Sequence, residues 1–168
     1  MAAIDQDQFK RGMRLLAAGV TVITTVRDGV PHGLVATAVC SVCAEPPTLL
    51  ACVNRGSTAH DPISDSGRFC VNVLEQRQLD AARRFVSAPR GERFGAFSLS
   101  TLVTGAPVLD GALVSFDCEV AEVASAGTHT VFFGRIVAVR VSDPLAPLLY
   151  FNGGYATTAP LPIEMPSP

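Results

Sequence analysis

The sequence predicts a mainly β protein, an antiparallel barrel or sandwich that carries a few peripheral helices. About seven segments are rich in β-branched or alternating apolar residues, and Gly, Pro and Asp-Gly turn signals separate them. Only two or three segments have the apolar spacing of an amphipathic helix. The alternation of strand and helix that builds a doubly wound sheet is missing, and no Gly-x-Gly-x-x-Gly follows a strand. A Rossmann dinucleotide-binding domain is therefore not indicated.

The first third of the chain is predicted to contain one helix followed by three strands. Apolar residues recur at helical spacing between Phe9 and Ala17, with Asp5 or Asp7 as the N-cap and Gly19 as the predicted end. Clusters of Val, Ile, Leu, Thr and Cys then predict strands over residues 20–26, 34–43 and 48–53.

The remainder of the chain is predicted to alternate short helices, strands and one long loop. A helix over 57–66 is expected to end at Gly67, a strand covers 69–74, and a second helix covers 79–86. Residues 87–111 contain several Gly and Pro with little periodicity, which predicts a long surface loop. Strands follow over 113–124, 130–141 and 148–151. We expect one domain over residues 1–156 and a Pro-rich disordered tail over residues 157–168.

Composition excludes several functional classes. The 168 residues are 48% hydrophobic and only 17% charged, so the chain is long and apolar enough to bury a core and is not intrinsically disordered. The net charge is −2 and there is no basic run, which argues against nucleic acid as a partner. No apolar stretch reaches the roughly 18 residues of a membrane span, and the start of the chain does not resemble a signal peptide. A cytoplasmic protein without a membrane partner is expected.

The cysteines suggest packing rather than redox or metal chemistry. All five lie in apolar sequence, which is typical of reduced, buried thiols in a reducing compartment. Cys40 and Cys43 have the spacing of a redox or zinc motif, but residues three apart on a strand point to opposite faces. No second Cys pair and no nearby His completes a metal site, so no metal is predicted.

Two segments contain candidate ligand-binding residues. Ala36, Thr37, Ala38 and Ser41 combine small side chains with hydroxyl groups, and such a strand lets a flat ring approach the backbone. From these four residues alone, however, an ordinary buried strand is the favoured interpretation. The loop Asn54-Arg-Gly-Ser-Thr58 combines a flexible glycine, hydroxyl groups and a cation before a predicted helix. It is either an anion site or a plain helix cap, and the residues alone leave both open.

The three histidines are weak signals individually. His129 lies in Gly127-Thr-His-Thr130, at the predicted turn between two long strands, where a barrel rim would expose it to a ligand. Single histidines are more often structural than functional, and we predict structural roles for His32 and His60.

Eight segments, in order and at family-like spacing, resemble the short-chain flavin reductases. The resemblance extends from about residue 9 to residue 155, nearly the whole chain, and is nearest to the reductases that serve 4-hydroxyphenylacetate hydroxylation or pyrimidine-ring opening. It implies an antiparallel Greek-key split β-barrel, the FMN-binding split barrel. The segments are residues 36–42, 46–50, 57–58, 70–74, 92–94, 105–109, 127–129 and 149–151.

The resemblance also implies an activity, cofactors and partners. Family members transfer hydride from NADH (or NADPH) to FMN (or FAD), and the reduced flavin diffuses to a separate flavin-dependent monooxygenase. They are homodimers with flavin at or near the subunit interface. By this resemblance, the isoalloxazine and ribityl chain are lined by Ala36, Thr37, Ala38 and Ser41. The phosphate end is held by Asn54, Ser57 and Thr58, and Arg93 and Phe94 lie beside the flavin. The resemblance also implies that His129 meets the nicotinamide and that Tyr155 helps to close the pocket.

The sequence departs from the family pattern near its end. Relatives tend to carry an Arg shortly after Tyr-Phe and a His after the last Tyr, where this chain has Asn152-Gly-Gly154 and Ala156. Neither the Arg83-Arg84 pair nor Arg90 offers an obvious substitute. This departure motivates one alternative, a tightly flavinated or non-catalytic flavin carrier. A separate alternative keeps the enzyme class but changes the acceptor to, for example, a corrinoid or ferric complex.

Overall fold

The computed structural model describes residues 4–143 and 146–161, which form twelve strands and three α-helices. Two 3-10 segments, Gln76–Gln78 and Arg90–Ala96, flank the third helix. The helices are α1 Gln6–Arg14, α2 His60–Ser66 and α3 Leu79–Ser87. The strands are β1 Ala18–Gly19, β2 Thr21–Arg27, β3 Val30–Ala36, β4 Val39–Ala44, β5 Pro47–Asn54, β6 Arg68–Val73, β7 Leu99–Thr101, β8 Pro107–Leu109, β9 Val114–Ala126, β10 His129–Val141, β11 Leu149–Phe151 and β12 Gly154–Ala156.

The main sheet is an antiparallel split barrel. Its seven strands lie in the order β3-β2-β6-β9-β10-β5-β4, so the consecutive strands β3 and β4 form its opposite edges. Only Thr37 and Ala38 separate these two strands along the chain. Three residue steps span at most about 11 Å, so the sheet must curl until its edges approach each other at this point. No ladder joins β3 to β4 among the described residues, and the barrel is left split there. The predicted fold class is confirmed.

The barrel interior is filled by side chains that alternate along the strands. In β5, Leu49, Ala51 and Val53 are buried while their neighbours are more exposed, as expected for a strand with one face in the core. A Cβ added at Gly134 would lie 2.5 Å from Cζ of Phe69. The glycine therefore lets the buried Phe69 ring lie directly against β10. Two further sheets, β1-β11-β12 and β7-β8, flank the barrel.

The structure corrects two predicted elements in the first third of the chain. Helix α1 begins at the N-cap Asp5, as predicted, but ends at Arg14. Gly19 is not a helix end, because Ala18 and Gly19 pair with β11. The predicted strand over 34–43 is two strands, because the chain passes from one sheet edge to the other between them.

The prediction of a long surface loop over residues 87–111 is wrong for the second half of this range. Strand β8 is buried, and the amide of the buried Asn72 holds it in place. The Leu109 N–H donates to Asn72 Oδ1 at 2.9 Å, and Asn72 Nδ2 donates to the Val22 carbonyl at 3.1 Å. A buried polar side chain with its partners satisfied fixes the segment across two strands. Such long-range pairing has no local sequence signal.

The end of the chain contains a hairpin that was not predicted. Asn152 and Gly153 have φ values of 50° and 80° between β11 and β12. Positive φ at both central residues is typical of a type I′ hairpin turn, for which Asn-Gly is the preferred pair. Asn152 and Gly153, where the sequence was expected to depart from the family pattern, therefore form the turn of this hairpin. Of the predicted tail, residues 157–161 are exposed and carry no helix or strand, and residues 162–168 lie outside the described residues.

The cysteines differ from the prediction. All five are free, but Cys40 and Cys43 are exposed, Cys52 is half-buried, and only Cys70 and Cys118 are buried. A register shift between Ser41 and Cys43 also interrupts the regular alternation of β4. Burial raises the pKa of Cys118 to about 12, so this thiol is protonated at neutral pH.

In the described part of the chain, no helix is long and apolar enough to cross a membrane.

Candidate active site

A cleft of about 480 Å³ opens between the end of the β2–β3 hairpin, the loop after β5 and the Arg90–Ala96 segment. We call it the cationic cleft. Arg27, Arg55, Arg90 and Arg93 line it, together with a single carboxylate, that of Asp61. Four of the chain's 13 basic residues thus surround one cleft in a protein of net charge −2. Guanidinium groups bind phosphate oxygens in pairs, so this lining is suited to a phosphate-bearing ligand.

The loop after β5 is shaped by its own hydrogen bonds. Asn54 Oδ1 accepts from the Gly56 N–H at 2.8 Å, and the Arg55 N–H donates to the Thr128 carbonyl at 3.0 Å. Helix α2 begins at His60, so Ser57 and Thr58 lie in the turn before the helix and not in its first turn. Both hydroxyl-bearing residues line the cationic cleft, whereas the exposed Asn54 is engaged in shaping the loop.

Arg93 and Phe94 form the opposite wall of the cationic cleft. Arg93 Nη1 donates to Thr58 Oγ1 and its Nε donates to the Ala88 carbonyl, both at 3.3 Å. The Phe94 ring packs edge-on against Phe85, with 5.0 Å between the ring centroids. A Cβ at Gly33 would lie 3.1 Å from Phe94 Cζ and 2.9 Å from a backbone oxygen, so the wall approaches β3 only because this residue is glycine.

A second, smaller cleft of about 250 Å³ is lined mainly by apolar side chains. We call it the apolar cleft. Its walls are Val20, Val35, Ala36, Thr37, Tyr150 and Tyr155. The Tyr155 ring meets Tyr150 edge-on at 5.6 Å, and the guanidinium carbon of Arg83 lies 5.7 Å from the Tyr155 ring centroid. Arg83, for which we predicted no role, therefore supports the aromatic wall by a cation–π contact.

The two clefts are neighbours along β3. Gly33 lies in the cationic cleft, and Val35 and Ala36, on the same strand, lie in the apolar cleft. Phe94 from one cleft and Tyr155 from the other pack against the same group of buried side chains. An apolar wall suited to a ring system thus lies beside a group of side chains that can donate hydrogen bonds to a phosphate.

Four predicted site residues lie outside the lining of both clefts. His129 and Asn54 are cross-strand partners on β10 and β5, which places the histidine at the rim near the loop. The half-buried His129 ring contacts the Thr128 hydroxyl, with 3.0 Å between Nδ1 and Oγ1. Ala38 precedes β4 and Ser41 lies on it, and both are exposed at the sheet edge. One copy of the chain therefore does not bring all the predicted residues into one cavity.

The cleft residues that were missed or discounted in the sequence include Arg27, His32 and Arg90. His32 lines the cationic cleft, and its pKa is lowered first by burial and then by the nearby Arg27 and Arg90. The hairpin signal at Asp28-Gly29 predicts that Arg27 and His32 lie close together, but nothing local places Arg90 beside them. The ring nitrogens of His60, for which a structural role is predicted, lie 2.8 Å from Asp61 Oδ1 and 2.9 Å from Thr130 Oγ1.

The donors and walls fit a nucleotide cofactor. Ser57, Thr58 and Arg93 offer hydroxyl and guanidinium groups to a phosphate, and the apolar cleft offers small and aromatic walls to a ring. Fold and clefts together define a split-barrel protein that binds a phosphate-bearing cofactor.

Comparison with known proteins gives the family. The chain matches the flavin reductase like domain over residues 13–159 and belongs to that family. It is 44% identical over 155 residues to the FMN reductase (NADH) RutF of Stutzerimonas stutzeri, covering 92% of this chain and 89% of the relative.

Two solved structures have the same fold. A homologue of nitrilotriacetate monooxygenase component B from Mycobacterium thermoresistibile is 32% identical, with a TM-score of 0.89 over 98% of this chain and 92% of that one. BorF, the flavin reductase component of a bacterial two-component tryptophan halogenase, is 30% identical, with a TM-score of 0.83 over 91% of this chain and 98% of that one. The resemblance seen in the sequence is confirmed at the level of the family.

Proposed function

We propose that this protein is an NADH-dependent flavin reductase that transfers hydride to FMN, or to FAD, and supplies reduced flavin to a separate monooxygenase. The observation that carries the proposal is the adjacency of a cationic cleft and an apolar cleft on β3. The chain is also 44% identical to a relative named FMN reductase (NADH). A component of a monooxygenase and one of a halogenase share its fold.

Each predicted residue then has a binding or orienting task. Ser57, Thr58 and Arg93 bind the flavin phosphate in the cationic cleft, and Phe94 lies beside the flavin. Ala36, Thr37 and Tyr155 form the wall beside the ring, Ala38 and Ser41 extend it along the sheet edge, Asn54 shapes the phosphate loop, and His129 contacts the nicotinamide at the rim. Bound flavin supplies the hydride acceptor, so no acid or base is required of the chain. The protein contributes proximity and orientation.

The test is NADH oxidation by the purified protein with free FMN and no partner enzyme. Sustained oxidation that depends on flavin, well beyond one turnover per chain, is expected. A protein that retains stoichiometric flavin and gives no multiple turnovers would instead be a flavin carrier. Competition between FMN and a corrinoid or ferric complex, followed in the same assay, would reveal a different acceptor.

We also propose that the protein works as a homodimer, because two of its surfaces suit contact with a second copy. Helix α1 has no buried residue, although Phe9 and Met13 on it are apolar, and the apolar Leu16 just after it is also exposed. The edge strand β4 has the sequence Val-Cys-Ser-Val-Cys-Ala, with no charge or proline to prevent pairing with another chain. Ser41, predicted to contact the flavin, lies on β4, so a second copy at this edge would complete the site.

The dimer proposal is tested by the mass of the protein in solution. Val42→Lys places a charge on the exposed edge strand and is expected to shift the mass from dimer to monomer. Val139→Lys is the matched control, because Val139 is 48% exposed and Val42 is 46% exposed. Equal masses for wild type and Val42→Lys would show that β4 is not the interface.

Two further expectations stand as proposals. The free thiols, of which Cys40 and Cys43 are exposed, fit a reducing compartment, and we propose a cytoplasmic location that cell fractionation would test. We also propose that residues 1–156 form the domain and 157–168 a tail. Limited proteolysis would then remove the tail and leave the unfolding transition unchanged.

A further inference from the structure

The polar residues of the cationic cleft include two groups with different partners, which we call its inner end (Ser57, Thr58 and Arg93) and its outer end (Arg27, His32 and Arg90). At its inner end, Arg93 binds the Thr58 hydroxyl, beside Ser57. At its outer end, Arg27 from β2 donates to Asp65 Oδ2 at 2.7 Å. Arg90 enters the cleft from the 3-10 segment Arg90–Ala96. The inner donors are sufficient for one phosphate, so the outer cations exceed what a mononucleotide needs.

His32 lines the cationic cleft together with the two outer arginines. Its pKa is lowered by burial and by the charges of Arg27 and Arg90, while Asp28 opposes this effect. Arg27 and Arg90 therefore both lie close enough to the His32 ring to act on it, and all three side chains line the same cleft. In the part of the chain that the structure describes, Arg90 forms no salt bridge, and Arg27 has one with Asp65. An anion at this end would relieve the repulsion.

We propose that Arg27, His32 and Arg90 form a second phosphate subsite, which binds the adenylate phosphate of a dinucleotide. This inference rests on the proposed flavin reductase function and adds to it the ligand of the outer end. FAD and NADH both carry an adenylate phosphate, whereas FMN carries a single phosphate that the inner donors bind. The fork of an arginine matches two phosphate oxygens, so two arginines can clamp one group from opposite sides.

The subsite makes the chain discriminate between nucleotides of different length. A ligand that reaches only the inner end gains nothing from Arg27 or Arg90. A ligand that reaches both ends gains charge-assisted hydrogen bonds, each of which changes affinity by roughly ten-fold or more. The outer arginines therefore act as specificity-determining residues and do not take part in the hydride transfer.

The experiment compares the dissociation constants of FMN, FAD and NADH by calorimetry on the full chain. Arg90→Gln and Arg27→Gln remove one charge each from the outer end. Arg84→Gln, an exposed arginine outside the cleft lining, is the control for Arg90. Arg135→Gln is the control for Arg27, because Arg135 also forms an ion pair, with Glu119. We expect the outer variants to bind a dinucleotide about ten-fold more weakly and FMN within about two-fold of wild type.

The pattern of loss identifies the ligand. A selective loss for FAD assigns the subsite to the flavin, and a selective loss for NADH assigns it to the pyridine nucleotide. Equal losses for all three ligands, or losses no larger than those of the controls, would overturn the proposal. These are binding measurements, so a wild type that fails to oxidise NADH would contradict the proposed function while the subsite could still be measured.

A second measurement uses His32 as a probe of the subsite. Titration of its ring proton resonance by NMR is expected to give a pKa below the usual 6.5 in the free protein. Addition of adenosine diphosphate, which has no flavin or nicotinamide ring, should raise this pKa because the phosphates favour the protonated ring. An unchanged His32 titration at saturating adenosine diphosphate would show that no phosphate binds beside it.

Discussion

The two clefts along β3 are built in different ways. The cationic cleft gathers its side chains from the β2–β3 hairpin, the loop after β5 and the Arg90–Ala96 segment, and it relies on charge and hydrogen bonds. The apolar cleft is lined by β3 and by the aromatic hairpin β11–β12, and it relies on ring packing. Salt screens charge but hardly affects packing, so ligand binding in the two clefts should respond differently to ionic strength and to substitution.

The largest effect is expected from Arg93→Gln in the cationic cleft. The substitution removes the cation that is bonded to Thr58 and is expected to weaken FMN binding by roughly ten- to hundred-fold. Flavin fluorescence titration at low salt measures the loss. The remaining affinity should depend less on salt than that of wild type.

Arg135→Gln is the control for this variant, because Arg135 lies on β10 outside both clefts. It should leave FMN affinity and its salt dependence unchanged. If Arg93→Gln behaved like the control, the phosphate would not bind in the cationic cleft.

The next effect is expected from Gly33→Ala, which acts on the wall between the clefts. The new Cβ would lie 2.9 Å from the Ile23 carbonyl oxygen and 3.0 Å from Phe85 Cζ, and the backbone oxygen cannot move aside. Such overpacking is expected to lower the free energy of unfolding by about 1–3 kcal/mol, and denaturant unfolding measures it. Because Phe94 must also shift, FMN affinity should fall with stability.

Gly95→Ala is the matched control, since its Cβ would meet nothing within 4 Å. It should be neutral or slightly stabilising, because alanine restricts the unfolded chain. A Gly33→Ala protein as stable as Gly95→Ala would mean that the Phe94 wall does not rest on β3.

The strands and helices could largely be predicted because their signals are local. The β-branched segments correspond to β2, β5 and β6, and Gly67 ends α2 in the left-handed conformation, as expected for a C-cap glycine. The crossing of the chain at Thr37–Ala38 could not be predicted from periodicity. The apolar residues continue from β3 through the crossing into β4, so the sequence pattern does not change where the chain passes from one sheet edge to the other.

The candidate site could be predicted only in part. Seven of the predicted residues line the two clefts: Ser57, Thr58, Arg93 and Phe94 in one, and Ala36, Thr37 and Tyr155 in the other. Asn54, predicted at the phosphate, and Ala38 and Ser41, predicted at the ring, line neither cleft, and the ligand roles of all these residues stay predictions. The outer cations were missed because Arg27 and Arg90 are 63 positions apart in the sequence. Neither has a motif around it, and only the packing of the Arg90–Ala96 segment against β3 brings them together.

A smaller effect is expected at the rim, outside both clefts. His129→Ala should raise the KM for NADH by roughly five-fold and change that for flavin less, because the ring is predicted to meet the nicotinamide. Its cross-strand partner Asn54 shapes the phosphate loop, so Asn54→Ala should instead raise the KM for flavin. Steady-state kinetics with each substrate varied in turn separates the two variants. NADH kinetics unchanged in His129→Ala would remove the histidine from the site.

The smallest effect is expected from Tyr155→Leu in the apolar cleft. The substitution keeps an apolar side chain but loses the edge-on contact with Tyr150 and the cation–π contact with Arg83. These contacts lie within the protein, so their loss mainly loosens the wall beside the ring, and FMN binding should weaken only by about two-fold.

The salt dependence of Tyr155→Leu distinguishes the two clefts most directly. FMN binding to this variant should lose affinity with rising salt as steeply as wild type does, because every cation of the other cleft is still present. Arg93→Gln should show the opposite pattern, a large loss at low salt and a shallow slope. If both variants flattened the slope, the clefts would act as one electrostatic unit, and the separation of phosphate and ring along β3 would be wrong.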